Sequence, residues 1–324
     1  MSRSGVLTRL EPIFSRIDGQ IRDQLSSDVP FVSRVCQYIL LAGGKRLRPS
    51  LFILAAHICD YPGDQEYRYS AAFEYVHAAT LLHDDVVDQS DTRRGQKAAH
   101  LVYGNQGVIL VGDYLMAKAL AIAAETGRMV FIEVMADTMA HMAEGEVLQL
   151  LHAHDPRITE AEYEEVILRK TGVLIQSASH LGAVLAEAPE TYTEALKHYG
   201  RHLGLAFQII DDTLDFTTTQ AEFGKPVGHD LDEGKITLPV IRALAQAEGT
   251  DKDELTALVS RERRSPQEFN RVKTLIDKYQ GIEQSLQRAA AEIELAKNAL
   301  SSLPERPEKA DLSDLADYIV TRRK

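Results

Sequence analysis

Two acidic motifs of the form D-D-x-x-D contain the residues best suited to chemistry in this sequence. The stretches ATLLHDDVVD and AFQIIDDTLD each place one such motif directly after an apolar turn. Residues four apart share one face of a helix, so Asp84 lies beside Asp88 in the first motif. Asp211 and Asp215 have the same spacing in the second motif. Like charges at this spacing repel each other, and beside an apolar region they require cations.

Mg²⁺ is the cation that these motifs predict. The donors that recur in both motifs are carboxylate oxygens, which hard cations prefer. Mg²⁺ commonly takes one or two carboxylates together with substrate phosphates. The two motifs are therefore expected to hold a diphosphate through bridging Mg²⁺ ions. A solvated acidic helix end is the alternative, and it would better explain a single motif, but two copies after two apolar turns disfavour it.

Basic residues near the first motif provide positive charge that an anionic ligand also needs. In the stretch GGKRLRP, a basic cluster of Lys45, Arg46 and Arg48 lies between a glycine pair and Pro49, which suits the first turn of a helix. The backbone N–H groups at a helix start favour anions. Taken alone, this stretch is more simply interpreted as an ordinary basic turn.

Three further basic residues flank the first acidic motif. Arg93 and Arg94 follow it, and because neighbouring side chains point in different directions, each arginine can serve a different anion. His77 lies two helical turns before Asp84, on the same side. A single histidine is more often a structural residue, but the basic surroundings give this one an anionic partner.

Three lysines lie at breaks in the helical pattern. Lys170 precedes a Thr-Gly pair inside a long helical stretch, where glycine permits a kink. Lys225 and Lys235 belong to or adjoin the segment 217–234, whose glycine, proline and mixed charge predict a mobile lid. Each lysine is equally explained as a solvated surface residue, and only the other basic residues favour a ligand.

The hydrophobic pattern predicts an all-α protein. Apolar residues recur at spacings of three and four, helix-forming residues are plentiful, and no convincing alternating strand occurs. Several long helices and the absence of a linker predict a single-domain bundle over residues 1–324. The predicted helices span residues 4–25, 29–42, 49–60, 66–91, 106–124, 128–152, 159–187, 190–218, 232–247, 251–260, 266–279, 281–302 and 310–323.

The charge balance argues against a nucleic-acid partner. The chain has 324 residues, with 36 Lys+Arg against 48 Asp+Glu and a net charge of -12, whereas nucleic-acid binders are commonly basic. Cys36 and Cys59 have no metal-like spacing and indicate a reducing compartment, so we expect a cytoplasmic protein.

No transmembrane segment is predicted either. The N-terminal stretch MSRSGVLTRLEPIF lacks the long apolar core of a signal peptide. The most apolar long run, 108–124, is interrupted by Asp113 and Lys118, so we expect a buried helix there. A transient membrane contact stays open, because a hydrophobic product would have to reach a membrane.

Together these motifs resemble those of the trans-type isoprenyl diphosphate synthases. The matching blocks are GGKRLRP, LLHDDVVDQSDTRRG, GEVLQL, KTG, and FQIIDDTLDF with GKPVGHDLDEGKITLP. The chain is most similar to the bacterial long-chain enzymes of the octaprenyl type. The resemblance implies a homodimer of long antiparallel helices around a central cavity. It also implies Mg²⁺-dependent head-to-tail condensation of isopentenyl diphosphate with an allylic diphosphate, farnesyl or geranyl, with a quinone side chain as the expected use of the product.

The resemblance also implies a role for each motif residue. The residues expected to bind three Mg²⁺ ions are Asp84, Asp88, Asp211 and Asp215, with Asp85 and Asp212 supporting them. Those expected to hold the allylic diphosphate are Arg93, Lys170 and Lys225, with Lys235 joining as the lid closes. Those expected to hold isopentenyl diphosphate without metal are Lys45, Arg48, His77 and Arg94. The remaining roles fall to Thr171 and Gln208, which would face the reacting carbons, and to Asp230, which would order a metal-bound water; His229 stands where many relatives have aspartate.

The residues just before the first acidic motif are expected to set the length of the product. Ala79 and Thr80 are small, whereas a large aromatic side chain there would stop the growing tail near farnesyl length in this family. We therefore expect a long-chain product, with Phe131 or Met135 deeper in the interior as a candidate floor. Close helix packing also explains small residues, and a shorter-chain geranylgeranyl synthase is the alternative.

Three rival functions deserve comparison. A class I terpene cyclase shares the first acidic motif, but it usually pairs it with an Asn/Ser/Glu motif and needs aromatic walls. Here the second motif is DDTLD, tryptophan is absent and aromatic residues are 6%. A non-catalytic partner subunit would be expected to lose one acidic motif. A helical scaffold without a small-molecule site would leave both motifs unexplained.

Overall fold

The computed structural model describes residues 5–217 and 228–321, with only the backbone of His229. These ranges are almost entirely helical, which confirms the predicted all-α class. The α-helices are α1 Gly5–Gln24, α2 Pro30–Leu40, α3 Leu47–Ile58, α4 Glu66–Val87, α5 Ala99–Tyr103, α6 Asn105–Glu125, α7 Met129–Leu151, α8 Glu160–Ile167, α9 Val173–Leu185, α10 Glu190–Thr217, α11 His229–Asp232, α12 Leu238–Gln246, α13 Gly249–Val259, α14 Pro266–Lys278, α15 Gly281–Ala299 and α16 Pro307–Thr321. The other elements are a π-helical turn, Leu168–Gly172, a 3₁₀ turn, Leu300–Ser302, and strands β1 Thr92–Arg93 and β2 Gln96–Lys97.

The two short strands correct one prediction. They form an antiparallel hairpin whose turn residues, Arg94 and Gly95, have φ values of 52° and 77°. Positive φ at both positions is typical of a two-residue hairpin turn. The predicted helix 66–91 therefore ends early, at Val87, and the expectation of no strand is wrong here. Two-residue strands are too short to show an alternating pattern.

Two predicted helices are each divided in the structure. The π-helical turn separates α8 from α9, so the helix predicted over 159–187 is not continuous α-helix. The helix predicted over 232–247 shares only Asp232 with α11, and its main part, α12, begins at Leu238. Gly234 explains this second break, because its φ is 84° and a Cβ there would lie 2.6 Å from the His154 ring. Only glycine tolerates both conditions without strain.

The described residues group into two compact units, of which the first contains α4 and the first acidic motif. This unit comprises Met1–Met139, Leu174–His198 and Leu300–Leu315. Within it α4 packs against α6, α3 and α1. Phe52 is buried with Phe73 and Phe131, at ring-centroid distances of 5.3 and 5.9 Å. The helix that carries the first motif is thus held by a packed core.

The second unit contains the second acidic motif, on α10. It comprises Ala140–Val173, Tyr199–Ala299 and Ala316–Lys324. Buried apolar side chains from α8, α10 and α12 to α15 form one continuous cluster within it. Phe216, next to the motif, stacks on Phe269 at 6.1 Å with the rings nearly parallel. The single-domain organisation stays a prediction.

One helix among the described residues is long and apolar enough to cross a membrane by length and composition. It is α6, whose mean hydropathy is 1.7 over its most apolar window. In that window 39% of the residues are buried, and α6 packs against α4. Core helices of soluble proteins meet the same criterion, so α6 is weak evidence for a membrane span.

Candidate functional site

The first acidic motif lies on the last turns of α4. Asp84 and Asp88 share one side of the helix and are half-buried, while Asp85 is fully buried on another side. One oxygen of Asp85 accepts hydrogen bonds from Arg93, including one of 2.9 Å from Nε. The helical spacing therefore separates a half-buried pair, suited to a ligand, from an inner carboxylate that holds Arg93.

The loop GGKRLRP is fixed by its central arginine. Arg46 has a φ of 48° and is buried. Its guanidinium donates to Asp18 at 2.8 Å, to Glu74 at 2.7 Å and to the carbonyl oxygen of Leu40 at 2.7 Å. A buried, multiply hydrogen-bonded guanidinium of this kind fixes the conformation of the backbone that carries it.

The fixed loop presents the other basic residues of the motif. Lys45 is exposed and Arg48 is half-buried in the first turn of α3, which begins at Leu47 rather than at the predicted residue 49. The guanidinium of Arg94, from the hairpin turn, donates to the carbonyl oxygen of Gly43. The structure thus brings Arg94 to the loop that carries Lys45 and Arg48.

His77, on α4, lies within the field of these arginines. Burial, and then the positive charges of Arg48, Arg94 and Arg93, lower the pKa of His77 well below its ordinary value. The imidazole is therefore neutral at pH 7 and does not add to the charge. A concentration of arginines that depresses a histidine pKa is a favourable environment for an anion.

The second acidic motif also has an inner carboxylate, but its other two carboxylates differ in exposure, since Asp215 is buried. Asp211 is half-buried, whereas Asp212 is buried and accepts hydrogen bonds from Tyr163 Oη at 2.6 Å and Gln208 Nε2 at 2.7 Å. Burial raises the pKa of Asp212 to about 7, with the charge of Asp230 adding to the effect and these hydrogen bonds opposing it. Asp212 is therefore held from within the second unit, and the amide nitrogen of Gln208 is committed to that contact.

Lys170 is positioned by the π-helical turn that contains it. A Cβ on Gly145 would lie 2.4 Å from the backbone nitrogen of Lys170, so α7 approaches this turn as closely as a glycine allows. On another side, a Cβ on Gly204 would lie 2.6 Å from the Cα of Gly172. Single π-helical turns are frequent at functional sites, and this one places Lys170 and Thr171, both half-buried, between α7 and α10 within the second unit.

The block GEVLQL supplies the partners of Lys170. The ammonium of Lys170 lies 2.5 Å from the carboxylate of Glu146 and 3.2 Å from the side-chain oxygen of Gln149. The sequence did not assign roles to Glu146, Gln149 or Tyr163. These contacts join residues that are distant in the chain, so the local sequence does not predict them. Only the position of Tyr163 in the apolar pattern of its helix indicates that it is buried.

The segment around α11 contacts the second motif through a backbone hydrogen bond. The backbone N–H of Asp230 donates to Asp215 at 3.3 Å, and the backbone N–H of Lys235 donates to the carbonyl oxygen of Asp230 at 2.8 Å. The ammonium of Lys235 pairs with Glu233 at 2.5 Å. Lys225, most of the predicted lid and the side chain of His229 lie outside the described residues.

The carboxylates fit Mg²⁺ better than a metal with an all-protein shell. Among the described residues, no group of three or more His, Cys, Asp or Glu side chains could hold an ion by itself. Mg²⁺ needs no such cage, since it takes one or two carboxylates and completes its shell with phosphates and water. Asp84 with Asp88, and Asp211 with Asp215, are donor pairs of that kind.

The predicted chain-length residues occupy the turn before the first motif. Ala79 is completely buried, and Thr80 is half-buried with its hydroxyl donating to the carbonyl oxygen of His77 at 2.9 Å. Phe131 and Met135, the predicted floor, are completely buried. Ala79 therefore leaves no free space for a larger side chain without a change in what surrounds it.

Comparison with known proteins identifies the family. The family model described as polyprenyl synthetase matches residues 29–276. The chain belongs to the polyprenyl synthetase family. As a member, it is a trans-prenyltransferase, and the family resemblance drawn from its motifs is confirmed.

Long-chain enzymes are among the relatives of this chain. Octaprenyl diphosphate synthase from Escherichia coli is 38% identical over 305 residues, which cover 89% of each chain. The crystal structure of a decaprenyl diphosphate synthase from Rhodobacter capsulatus is similar with a TM-score of 0.92, 38% identity and 98% coverage of both chains. A polyprenyl synthase from Caulobacter crescentus, complexed with calcium and isoprenyl diphosphate, has a TM-score of 0.93, 38% identity and full coverage of both chains.

Proposed function

We propose that this protein is a Mg²⁺-dependent, long-chain, all-trans polyprenyl diphosphate synthase. It would condense isopentenyl diphosphate head-to-tail with an allylic diphosphate, farnesyl or geranyl. One observation carries the proposal: α4 carries a histidine among arginines and, two helical turns further on, a pair of half-buried carboxylates. His77 lies among arginines, as suits a diphosphate bound without metal, while Asp84 and Asp88 suit one bound through Mg²⁺. A terpene cyclase has one diphosphate substrate and no use for both sites.

The chain's own side chains would hold and orient the two substrates. Lys45, Arg48 and Arg94 would bind isopentenyl diphosphate, with His77 donating one neutral N–H. The allylic diphosphate would be held at the acidic motifs and by the side chains Arg93, Lys170, Lys225 and Lys235. When bound, Mg²⁺ supplies Lewis-acid stabilisation of the leaving diphosphate.

The reaction needs positioned charge rather than an enzyme nucleophile. The C–O bond of the allylic substrate breaks, and its electron pair leaves with the diphosphate, whose charge Lys170 and Arg93 offset. The double bond of isopentenyl diphosphate then attacks the allylic carbon, and a proton leaves to the departed diphosphate. Thr171 and Gln208 would face the reacting carbons with their oxygens, since the amide nitrogen of Gln208 is held by Asp212. Asp230 would order a metal-bound water.

The product is proposed to be about octaprenyl in length, for a quinone side chain. The small side chain of Ala79, at a position where an aromatic residue would stop the tail in this family, supports a long product. Relatives named octaprenyl and decaprenyl diphosphate synthase support the same class. A geranylgeranyl-length product is the alternative, because Phe131 packs against Phe52 and can close the path earlier.

We also propose a cytoplasmic homodimer with transient membrane contact for product release. Support for the dimer comes from large apolar side chains exposed on one short stretch of α5 and α6: Leu101, Val102, Ile109 and Leu110. Such a patch is typical of an interface. Leu110→Glu is expected to produce monomers in sedimentation velocity, whereas Leu295→Glu, at an exposed leucine on α15, should leave the dimer intact. Dimers in both variants, or monomers of the unchanged protein, would reject this proposal.

Chain elongation by the purified protein tests the proposed function. Labelled isopentenyl diphosphate should enter an extractable lipid only when both an allylic diphosphate and Mg²⁺ are present. Omission of the allylic substrate controls for binding without reaction. Cyclic hydrocarbon from the allylic substrate alone would identify a cyclase, and lack of any product with all components present would reject a synthase.

A further inference from the structure

Asp230 and Lys235 lie on a short segment, residues 228–237, that has little regular structure of its own. It contains only the single-turn helix α11 and a turn at Gly234. Leu231 and Ile236 enter the hydrophobic core of the second unit. Two buried side chains fix the depth of such a segment but leave the direction of its backbone to other contacts.

A buried arginine from the loop between α13 and α14 supplies those contacts. The side chain of Arg264 is 1% exposed. Its Nη1 donates to the carbonyl oxygen of Leu231 at 2.6 Å and to the carboxylate of Asp232 at 3.3 Å. The guanidinium thus holds the C-terminal end of α11, one residue beyond Asp230 and shortly before Lys235.

The other side of the same guanidinium is bound to the end of α13. Its Nε donates to Leu258 at 2.8 Å, and its Nη2 donates to Val259 at 2.7 Å and Arg261 at 2.6 Å, each through a backbone carbonyl oxygen. Every N–H of Arg264 therefore has an acceptor, and one rigid planar group joins two backbone segments.

The backbone of Arg264 is itself fixed by the start of α14. Ser265 caps this helix in a capping box, in which Glu268 accepts from the backbone N–H of Ser265 at 2.8 Å. Phe269, in the next turn, covers Gly228, where a Cβ would lie 2.2 Å from the ring. The same ring stacks on Phe216, the neighbour of Asp215. The start of α14 is thus docked against both the second acidic motif and the 228–237 segment.

We propose that Arg264 is a positioning residue, which sets Asp230 and Lys235 relative to the second acidic motif. This inference rests on the proposed function, in which those two residues act on the metal-bound allylic diphosphate. Loss of the Arg264 side chain would leave the carbonyl groups of α11 and α13 without a common donor. Asp230 would then lose its fixed distance to Asp215. Isopentenyl diphosphate, whose proposed ligands belong to the first unit, should be bound as before.

Arg264→Met tests this role, with Arg261→Met as the matched control. Arg261 lies in the same loop, but its side chain is half exposed and pairs with Glu268, while its backbone carbonyl is kept. Removing a residue that orients metal-site groups commonly costs about tenfold or more in metal affinity or activity. For Arg264→Met we expect about that increase in the Mg²⁺ requirement and in KM for the allylic diphosphate. KM for isopentenyl diphosphate should not change, and Arg261→Met should match the unchanged protein.

Hydrogen exchange of the metal-free protein gives a readout that does not depend on activity. Backbone amides of residues 228–237 should exchange faster in Arg264→Met than in the unchanged protein or in Arg261→Met. If Arg264→Met does not fold, the same measurements are made on Arg264→Lys. A lysine ammonium cannot join both segments as the planar guanidinium does.

Equal losses for both substrates, or unchanged exchange in 228–237 in a folded variant, would overturn the positioning role and leave Arg264 a residue of general stability. Lack of chain elongation in the unchanged protein is a different result, because it rejects the proposed function whatever the variants do.

Discussion

The ammonium of Lys170 lies 2.5 Å from the carboxylate of Glu146, across the close contact that Gly145 permits. This ion pair gives the block GEVLQL a physical role: it orients the lysine that is proposed to bind the allylic diphosphate.

Lys170→Met should selectively weaken binding of the allylic diphosphate. A charge-assisted hydrogen bond contributes about 1.5–3 kcal/mol, so KM for the allylic substrate should rise roughly 10- to 100-fold. KM for isopentenyl diphosphate should stay the same. Arg169→Met is the matched control, since Arg169 lies in the same turn but pairs with Glu144 and Glu165. Equal effects of the two variants in steady-state kinetics would contradict the assignment.

Asp84→Ala should abolish chain elongation. The half-buried pair Asp84 and Asp88 is proposed to hold Mg²⁺, and loss of Lewis-acid stabilisation worth several kcal/mol should lower kcat by about a thousandfold or more. Asp91→Ala, just beyond the motif and exposed, is the control and should retain activity. Near-normal turnover by a folded Asp84→Ala protein would refute the metal assignment.

The stability of the unliganded protein should depend on pH through His77. Its pKa is lowered in the folded state, so the unfolded chain binds more protons than the folded chain once the pH falls below about 6.5. The free energy of unfolding should therefore fall more steeply below that pH than it does in His77→Gln, which has no imidazole to protonate. Urea unfolding of both proteins across pH 5 to 8 measures the difference. If the free energy of unfolding has the same pH dependence in both proteins, the pKa of His77 is not lowered in the folded state.

Ala79→Tyr should shorten the product sharply, toward farnesyl length. The tyrosine ring would enter a completely buried position in the turn before Asp84, where the growing tail is proposed to pass. Phe131→Ala, which opens the buried ring cluster, should instead lengthen the product. Thermal unfolding confirms that each variant is folded, and product mass spectrometry reads the length. A folded Ala79→Tyr protein with unchanged products would place the tail elsewhere.

The sequence predicted the all-α class, and it placed Asp84 with Asp88 on one helix side because residues four apart share a helix face. It could not name Arg93 as the partner of Asp85 or Tyr163 as the partner of Asp212. Those partners depend on how distant segments pack.

Other features left little trace in the local sequence. In the sequence, Arg46 does not differ from the other basic residues of its loop, yet in the structure it is buried against Asp18 and Glu74. The hairpin around Arg94 is too short to have a periodicity. Arg264 lies in a stretch with several arginines, and only the tertiary structure shows which of them is buried.

The length of the product made by the purified protein tests the central claim most directly. The protein would be incubated with farnesyl diphosphate, excess isopentenyl diphosphate and Mg²⁺, and the lipid products would be measured by mass spectrometry. A two-site, long-chain synthase with a small residue at position 79 predicts a major product about octaprenyl in length. A major product no longer than geranylgeranyl diphosphate, or no growth of the farnesyl chain, would contradict it.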